Sequence, residues 1–556
     1  MLSLALAGLS YGLLALAQNS TVTNPMLPGF YPDPSCIFVP ELDDTFFCAS
    51  SSFRAFPGIP ISASRDLQSW TVISHAFNRP EQLPDFAALE SASGGIWAPT
   101  LRYRDGTFYL ISTCVVDDLP ANDTSRWINF IISSTDPYCD ECWSDPVHFT
   151  ADGYDPSLFW DDDGQAYVTW GLLWNVRPGI MQSTIDVKTG EVGKPINVWN
   201  GTGRLAPEGP HLYKKDGFYY LLIAEGGTGL DHSATIARSR SINGPYKSNP
   251  ANPILTNANT TEYFQAVGHA DLFQDAAGNW WGVALSMRLN TALRAAPMGR
   301  ETVLYPVTWE KGQWPVLSQV KGRISSWPFP QSSSDKPIPG LPVAASEDID
   351  FVANPEIPSN FIYYGFPDTS SYEFQNGLCL TPSTTGNTST GNVTRILRRQ
   401  SHSLFTYSVD VDWSPSKVGD ETGVTIFIDP SNHLDLGIVQ LPSKNGKGSS
   451  TSYLRFQGRG TIGPAPTTLV DFPSAWKGGS VTLEIKAFNA THMSFSAGPA
   501  AQDSGLKTIT YASSGLIQPI FSGASVGVYT TASVSSSHAE ACFSRWKYEG
   551  DRQYRS

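Results

Sequence analysis

Charge is scarce in this 556-residue chain: Asp, Glu, Lys and Arg together make up 16% of it. What charge there is leans acidic, with 37 Lys and Arg against 51 Asp and Glu and a net charge of -14, which argues against nucleic acid and anionic membranes as partners. Long apolar runs are missing after the N-terminus, so no later segment reads as a membrane span. A helical period is also missing over useful lengths in the first three hundred residues, which argues against an α/β barrel. Cysteines number seven, an odd count that leaves at least one thiol unpaired. Cys36 and Cys48 are spaced to bridge neighbouring strands, and "CDEC" at 139–142 has the look of a redox or zinc half-site without a second such pair or a nearby histidine.

Aromatic residues are plentiful at 12%, including 16 Trp and 22 Tyr, the flat rings that stack on sugars. The opening "MLSLALAGLSYGLLALAQNS" is too short to span a bilayer securely and contains Ala15-Leu16-Ala17, the small-x-small pattern of a signal-peptidase site. We read 1–17 as a signal peptide, against the alternative of a buried N-terminal helix. Asn-x-Ser/Thr sites at Asn19, Asn122, Asn200, Asn259, Asn387, Asn392 and Asn489 suit a secreted, extracellular glycoprotein.

Self-similarity is the strongest signal. Five segments align at intervals of roughly 50 to 65 residues: "DPSCIFVPELDDTFFCAS", "APTLRYRDGTFYLIST", "DPSLFWDDDGQAYVTWG", "EGPHLYKKDGFYYLLIAEGG" and "GHADLFQDAAGNWWGVALS". Each is a short strand, an acidic or glycine turn, and a second strand rich in aromatics, which describes a hairpin. Further strand-like runs between them bring each unit to about four strands, so the repeat predicts a five-bladed β-propeller. A Pro/Ser-rich passage follows, and beyond it period-two runs such as "SLFTYSVDVDW", "GVTIFID" and "SVTLEIKAF" predict a β-sandwich. The chain is therefore expected to be all-β, with a propeller over 18–324, a linker or wrap over 325–346 and a sandwich over 347–556.

In a propeller the innermost strands start at one mouth of the central channel. The leading residues of the five units are Asp33, Pro99, Asp155, Glu208 and His269. Three carboxylates meeting there would drive one another's proton affinities apart, the equipment for cleaving a glycosidic bond with one acid and one base. Taken singly, Asp33 and Asp155 cap Asp-Pro-Ser turns and Glu208 is a surface acid. Pro32 and Pro34 restrict the backbone at Asp33 and are expected to hold it extended.

The ordered motifs "NPMLPGFYPDPS", "GIWAPTLRYRDGTFYL", "GYDPSLFWDDDG", "LAPEGPHLYKKDGFYYLL", "VGHADLF" and "MGRETVLYPVTW" resemble those of glycoside hydrolase family 43, in the branch with a C-terminal concanavalin-like β-sandwich. The resemblance implies an inverting mechanism with Asp33 as general base, Glu208 as general acid and Asp155 orienting the acid. It also implies aromatic walls at Phe53 and Trp97, a sugar-binding Arg300, Tyr154 at the approach of a branched chain, and Phe521 reaching the site from the sandwich. No cofactor is required; His269 matches a family histidine associated with a divalent ion such as calcium, and a satisfied buried histidine accounts for it equally well. The implied substrate is a pentoside of plant hemicellulose, foremost the arabinose side chains of arabinoxylan, with exo-β-xylosidase action on xylo-oligosaccharides as the alternative. A non-catalytic sugar-binding protein is the reading from outside that class.

Overall fold

The computed structural model describes residues 21–554 apart from 291–294, 326, 331–333, 335, 352–356, 375–376, 383–392, 416, 444–448, 461–462, 501–504, 519–520 and 533–538. The expected signal peptide and the sites at Asn19, Asn387 and Asn392 lie outside the described residues. Among the described residues the regular elements are strands and short 3-10 turns, and no helix is long and apolar enough to cross a membrane.

Five antiparallel sheets surround one axis. Blade 1 is built from Ser35–Val39, Thr45–Ala49, Gly58–Ser64 and Thr71–Phe77, and blade 2 from Gly95–Arg104, Thr107–Val115, Trp127–Ser134 and Val147–Phe149. Blades 3 and 4 start at Gly153–Trp160 and Glu208–Lys215, and blade 5 at Phe264–Gln274. Each is a four-stranded meander to which blade 1 adds a fifth strand, Leu341–Pro342, paired with Val72 and Thr71. The passage expected as a linker is thus partly a propeller strand, because its Leu341 and Pro342 complete an open sheet edge. Val22–Thr23 pairs with Arg323–Ile324 to close the ring. The fully buried Asn24 strengthens that closure by donating to the carbonyls of Leu304 and Lys321 and accepting from the Leu304 amide.

Near the axis the innermost strands are not regular. In blades 2 to 5 the ladder slips between Trp97 and Thr100, Tyr154 and Ser157, Glu208 and His211, and Gly268 and Asp271. Each slip is a bulge that opposes an extra residue to the partner strand. At the corresponding place in four blades stand Asp33, Asp155, Gly209 and His269, with φ of 51°, 54°, 56° and 52°. Asp33 is therefore left-handed rather than extended as its prolines suggested. Glu208 is also not in step with Asp33 and Asp155: it sits one residue earlier, at the place held by Tyr154 and Trp97.

A polar knot ties the channel below these bulges. The fully buried Asp271 of blade 5 accepts from Ser35 of blade 1 at 2.7 Å and from Tyr213 of blade 4 at 2.6 Å, and pairs with Arg102 of blade 2 at 3.0 Å. Despite burial, the Arg102 charge and these hydrogen bonds hold its carboxyl below the usual carboxylate range.

The C-terminal part is a sandwich of two eight-stranded sheets around one apolar core that includes Phe405, Tyr407, Ile426, Leu436, Phe495 and Trp546. One of those sheets runs on into the propeller: Phe361–Tyr364 pairs with Ala55–Phe56, two residues from Phe53. Three disulfides join Cys36 to Cys48 across blade 1, Cys139 to Cys142 within the "CDEC" turn, and Cys379 to Cys542 across the sandwich. Cys114 is the free thiol, buried and pushed up to about 12.

Replacing Asp271 with Ala leaves the Arg102 guanidinium uncompensated at the channel, and a loss of about 3–5 kcal/mol is expected. Chemical denaturation of the variant beside the parent measures it; an unchanged midpoint would show that the knot is not what ties the blades.

Candidate active site

The mouth of the channel collects the predicted carboxyls. Asp33 accepts from Ser51 Oγ at 2.6 Å and from Arg300 Nη1 at 3.4 Å, and His269 Nδ1 lies 3.9 Å from its Oδ1. Ser51 follows the blade-1 strand Thr45–Ala49 in "CASSSF", and only the fold shows that this serine meets the aspartate. Asp155 accepts from the backbone N–H of Gly209 at 3.1 Å. It thereby holds the main chain directly after Glu208 rather than the acid's own carboxyl. Gly209 is needed in that place, since its φ is positive and a Cβ would stand 2.9 Å from the His269 ring.

Tyr154 was expected at the substrate's approach, but it is buried, and its hydroxyl donates to Glu208 Oε2 at 3.0 Å. The reason is that a buried phenol needs a hydrogen-bond partner, and the bulges bring Glu208 and Tyr154 to equivalent positions on adjacent blades. Burial pushes the Glu208 carboxyl up to about 7, with Asp33 adding to the rise while the Tyr154 hydrogen bond and the Arg300 charge pull it down. Burial also raises Asp155, reinforced by the charges of Glu208 and then Asp33. The site therefore contains a carboxylic acid that retains its proton close to neutrality, beside the Asp33 carboxyl held by a serine and an arginine.

Aromatic rings form the collar. Phe53 stacks with Phe521 of the sandwich at 5.7 Å between centroids, and Trp97 lies 6.3 Å from Phe53 and 6.2 Å from Phe521. Trp97 meets Tyr154 edge-on at 5.6 Å, and Trp127, which the motifs did not single out, stacks on Tyr154 at 5.3 Å. The Arg300 guanidinium lies 4.6 Å over Phe521, and its buried Nη2 has no protein partner. That N–H is free to meet a ligand hydroxyl.

Calcium takes six to eight oxygen ligands, and the surroundings of His269 do not fit one. Asp33 is already engaged by Ser51 and Arg300, and the Arg102 guanidinium, 3.0 Å from His211 Nδ1, places a positive charge in the channel below. Among the described residues the one convergence of three His, Cys, Asp or Glu ligands is Cys379, Glu540 and Cys542, whose cysteines are joined as a disulfide. Burial also lowers the His269 imidazole, which is therefore neutral.

The family model for glycosyl hydrolases family 43 matches residues 22–315, and that for the beta xylosidase C-terminal concanavalin A-like domain matches residues 349–549. The chain belongs to glycosyl hydrolase family 43. Its relatives include a non-reducing end alpha-L-arabinofuranosidase of Bacteroides ovatus, 34% identical over 505 residues, which span 88% of this chain and 87% of that protein. A xylosidase/arabinosidase of Butyrivibrio fibrisolvens is 35% identical over 442 residues, spanning 76% and 80% of the two chains. Among solved structures, a xylan beta-1,4-xylosidase from Bacillus halodurans is similar with a TM-score of 0.82 at 28% identity, covering 95% of this chain and 100% of that one. Family 43 membership makes the chain a glycosidase. Its propeller mouth holds a carboxylic acid raised toward neutrality, a collar of aromatic rings and an unpartnered Arg300 N–H.

The Tyr154 hydrogen bond favours the ionised form of Glu208, so its removal raises the carboxyl further. In Tyr154→Phe the alkaline limb of the kcat profile, expected near pH 7 where Glu208 loses its proton, should move to higher pH. A limb that stays in place would separate Glu208 from the acid step.

Proposed function

We propose that this protein is a secreted, inverting exo-hydrolase that removes α-L-arabinofuranosyl side chains from arabinoxylan. The observation that carries the reading is Phe521. A sandwich side chain stacked on Phe53 and under Arg300 narrows the propeller mouth from one side, as suits an enzyme that takes one terminal sugar. The Bacteroides ovatus relative, which aligns across both domains, supports arabinose as that sugar.

In this mechanism Asp33 takes a proton from water as the water attacks the anomeric carbon, and Glu208 gives its proton to the departing glycosidic oxygen. Asp155 positions the acid through the Gly209 amide, and Arg300 binds sugar hydroxyls through Nη2. Inversion requires room for the attacking water between base and sugar. Three disulfides and the exposed Asn122, Asn200, Asn259 and Asn489 support passage through an oxidising, glycosylating compartment. The similarity to the Bacillus halodurans xylosidase favours exo-β-xylosidase action as the second reading.

Product analysis on arabinoxylan and xylobiose separates the two. Free arabinose with xylobiose left intact is expected; xylose from xylobiose with no arabinose released would give the enzyme to the second reading. Glu208→Gln should lower kcat by about 10²–10⁴-fold on substrates with poor leaving groups while polysaccharide binding persists. Undiminished turnover would remove Glu208 as the acid.

A further inference from the structure

A second cavity lies on the sandwich, on the outer face of the sheet that continues into the propeller. It is a groove of about 640 Å³, within the size range of small-ligand sites. The strands Glu421–Asp429, Asn432–Pro442, Ser450–Arg459 and Ser525–Thr531 supply it, with Val393–Arg399 at one side. Their alternation sends Ile426, Leu434, Leu436 and Val528 into the core and leaves the intervening residues on the groove face.

That face has an unusual make-up. Gly423 and Gly437 stand opposite each other in the middle of the sheet and form a floor without side chains. Over Gly437 lean the Tyr529 hydroxyl and the Glu421 carboxylate, within 2.5 Å and 2.8 Å of where a Cβ would be. Glu421 is fully buried, pairs with Arg455 and accepts from Gln457 Nε2 at 3.4 Å. Beyond it His433 contacts Asp435 at 2.9 Å, and Arg395 lies 4.3 Å over the Phe427 ring. Thr425 Oγ1, on a residue 2% exposed, and Arg395 Nη1 are among the polar atoms of the lining that are buried without a protein partner. A buried donor or acceptor left unpaired costs about 1–3 kcal/mol, a cost that a hydrogen-bonding occupant removes.

The charges select the class of occupant. An anion would meet the carboxylates of Glu421 and Asp435, and a cation the guanidinium groups of Arg395 and Arg455. An apolar ligand would strip water from all four. A neutral chain bearing many hydroxyls meets carboxylate, amide and guanidinium edges alike, each able to bond a pair of vicinal hydroxyls.

The groove also has a meaningful position. Phe427 forms its wall and at the same time belongs to the apolar cluster of Phe30, Phe53, Ile362 and Leu397, against which Trp97 and Phe521 pack. The groove and the collar thus share one apolar cluster. We propose that the groove is a second binding site for an unbranched, neutral stretch of the pentose polymer, which holds the polymer while a side chain enters the pocket. The identity of that polymer rests on the proposed function above; the groove's preference for a neutral polyol does not.

Affinity electrophoresis of the full chain in gels containing soluble xylan or arabinoxylan tests this. Retardation of the parent is expected, with Gln457→Ala and Arg455→Ala each weakening the apparent affinity about fivefold or more, the value of one hydrogen bond. Rates on a nitrophenyl arabinofuranoside, too small to reach the groove, should stay within about twofold of the parent. Arg455→Ala leaves the buried Glu421 unpaired and can unfold the sheet, so Gln457→Ala with an unchanged melting temperature is the deciding variant. Equal retardation of Gln457→Ala and parent, or no retardation of the parent on either polymer, overturns the proposal. Failure to hydrolyse either nitrophenyl pentoside would instead overturn the proposed function, and the gels would still decide the groove.

Discussion

The candidate active site depends on one backbone device, the bulge in the innermost strands of blades 2 to 5. A regular strand alternates its side chains between faces, so adjacent blades would present the mouth with a simple two-residue rhythm. The bulge breaks that rhythm by one residue and, in blades 3 to 5, turns its first position left-handed, a conformation costing of the order of 1–3 kcal/mol for a non-glycine residue. Asp33, Asp155 and His269 adopt it, and Gly209 adopts it without the steric penalty. The gain is placement: Gly209 turns its amide to Asp155, while Glu208 just before it receives the Tyr154 hydroxyl. The innermost strands continue inward to Ser35, His211 and Asp271, where the polar knot with Arg102 ties blades 1, 2, 4 and 5.

The second domain contributes to the site by continuity rather than by simple contact. Because Phe361–Tyr364 pairs with Ala55–Phe56, the sandwich sheet is hydrogen-bonded to the segment that begins at Phe53. Further contacts follow the same boundary: the Gly365 amide donates to the Arg54 carbonyl at 2.7 Å, and Arg399 lies over Phe30. Phe521 is therefore presented to the pocket by a framework tied to the wall it stacks on. The groove face of that sheet begins where this boundary ends, at Phe427.

Much of the architecture was legible in the chain because repetition is a one-dimensional signal. Five hairpins with acidic and glycine turns point to five blades, and alternating runs after a Pro/Ser-rich passage point to a sandwich. The identities of Asp33, Asp155 and Glu208 were legible for the same reason, as they stand at the heads of the repeats. Their offset was not: aligning repeats by residue type puts Glu208 in step with Asp33, whereas the ladder places Gly209 there. Proline at 34 suggested an extended aspartate, but just ahead of the blade-1 strand Asp33 is left-handed. Tyr154 read as a residue facing the substrate because nothing in "GYDPSL" shows that a neighbouring blade delivers a carboxylate to its hydroxyl.

By itself the sequence determined the element types, the number of repeats and the chemical groups available, since these follow from local periodicity and residue chemistry. Only the tertiary structure decided which groups meet. Ser51 reaches Asp33, Arg102 reaches Asp271 and Phe521 reaches Phe53 across separations of 18, 169 and several hundred residues, and no local pattern encodes such pairs. The proton affinity of Glu208 was decided there too, because it depends on burial and on charges brought from other blades.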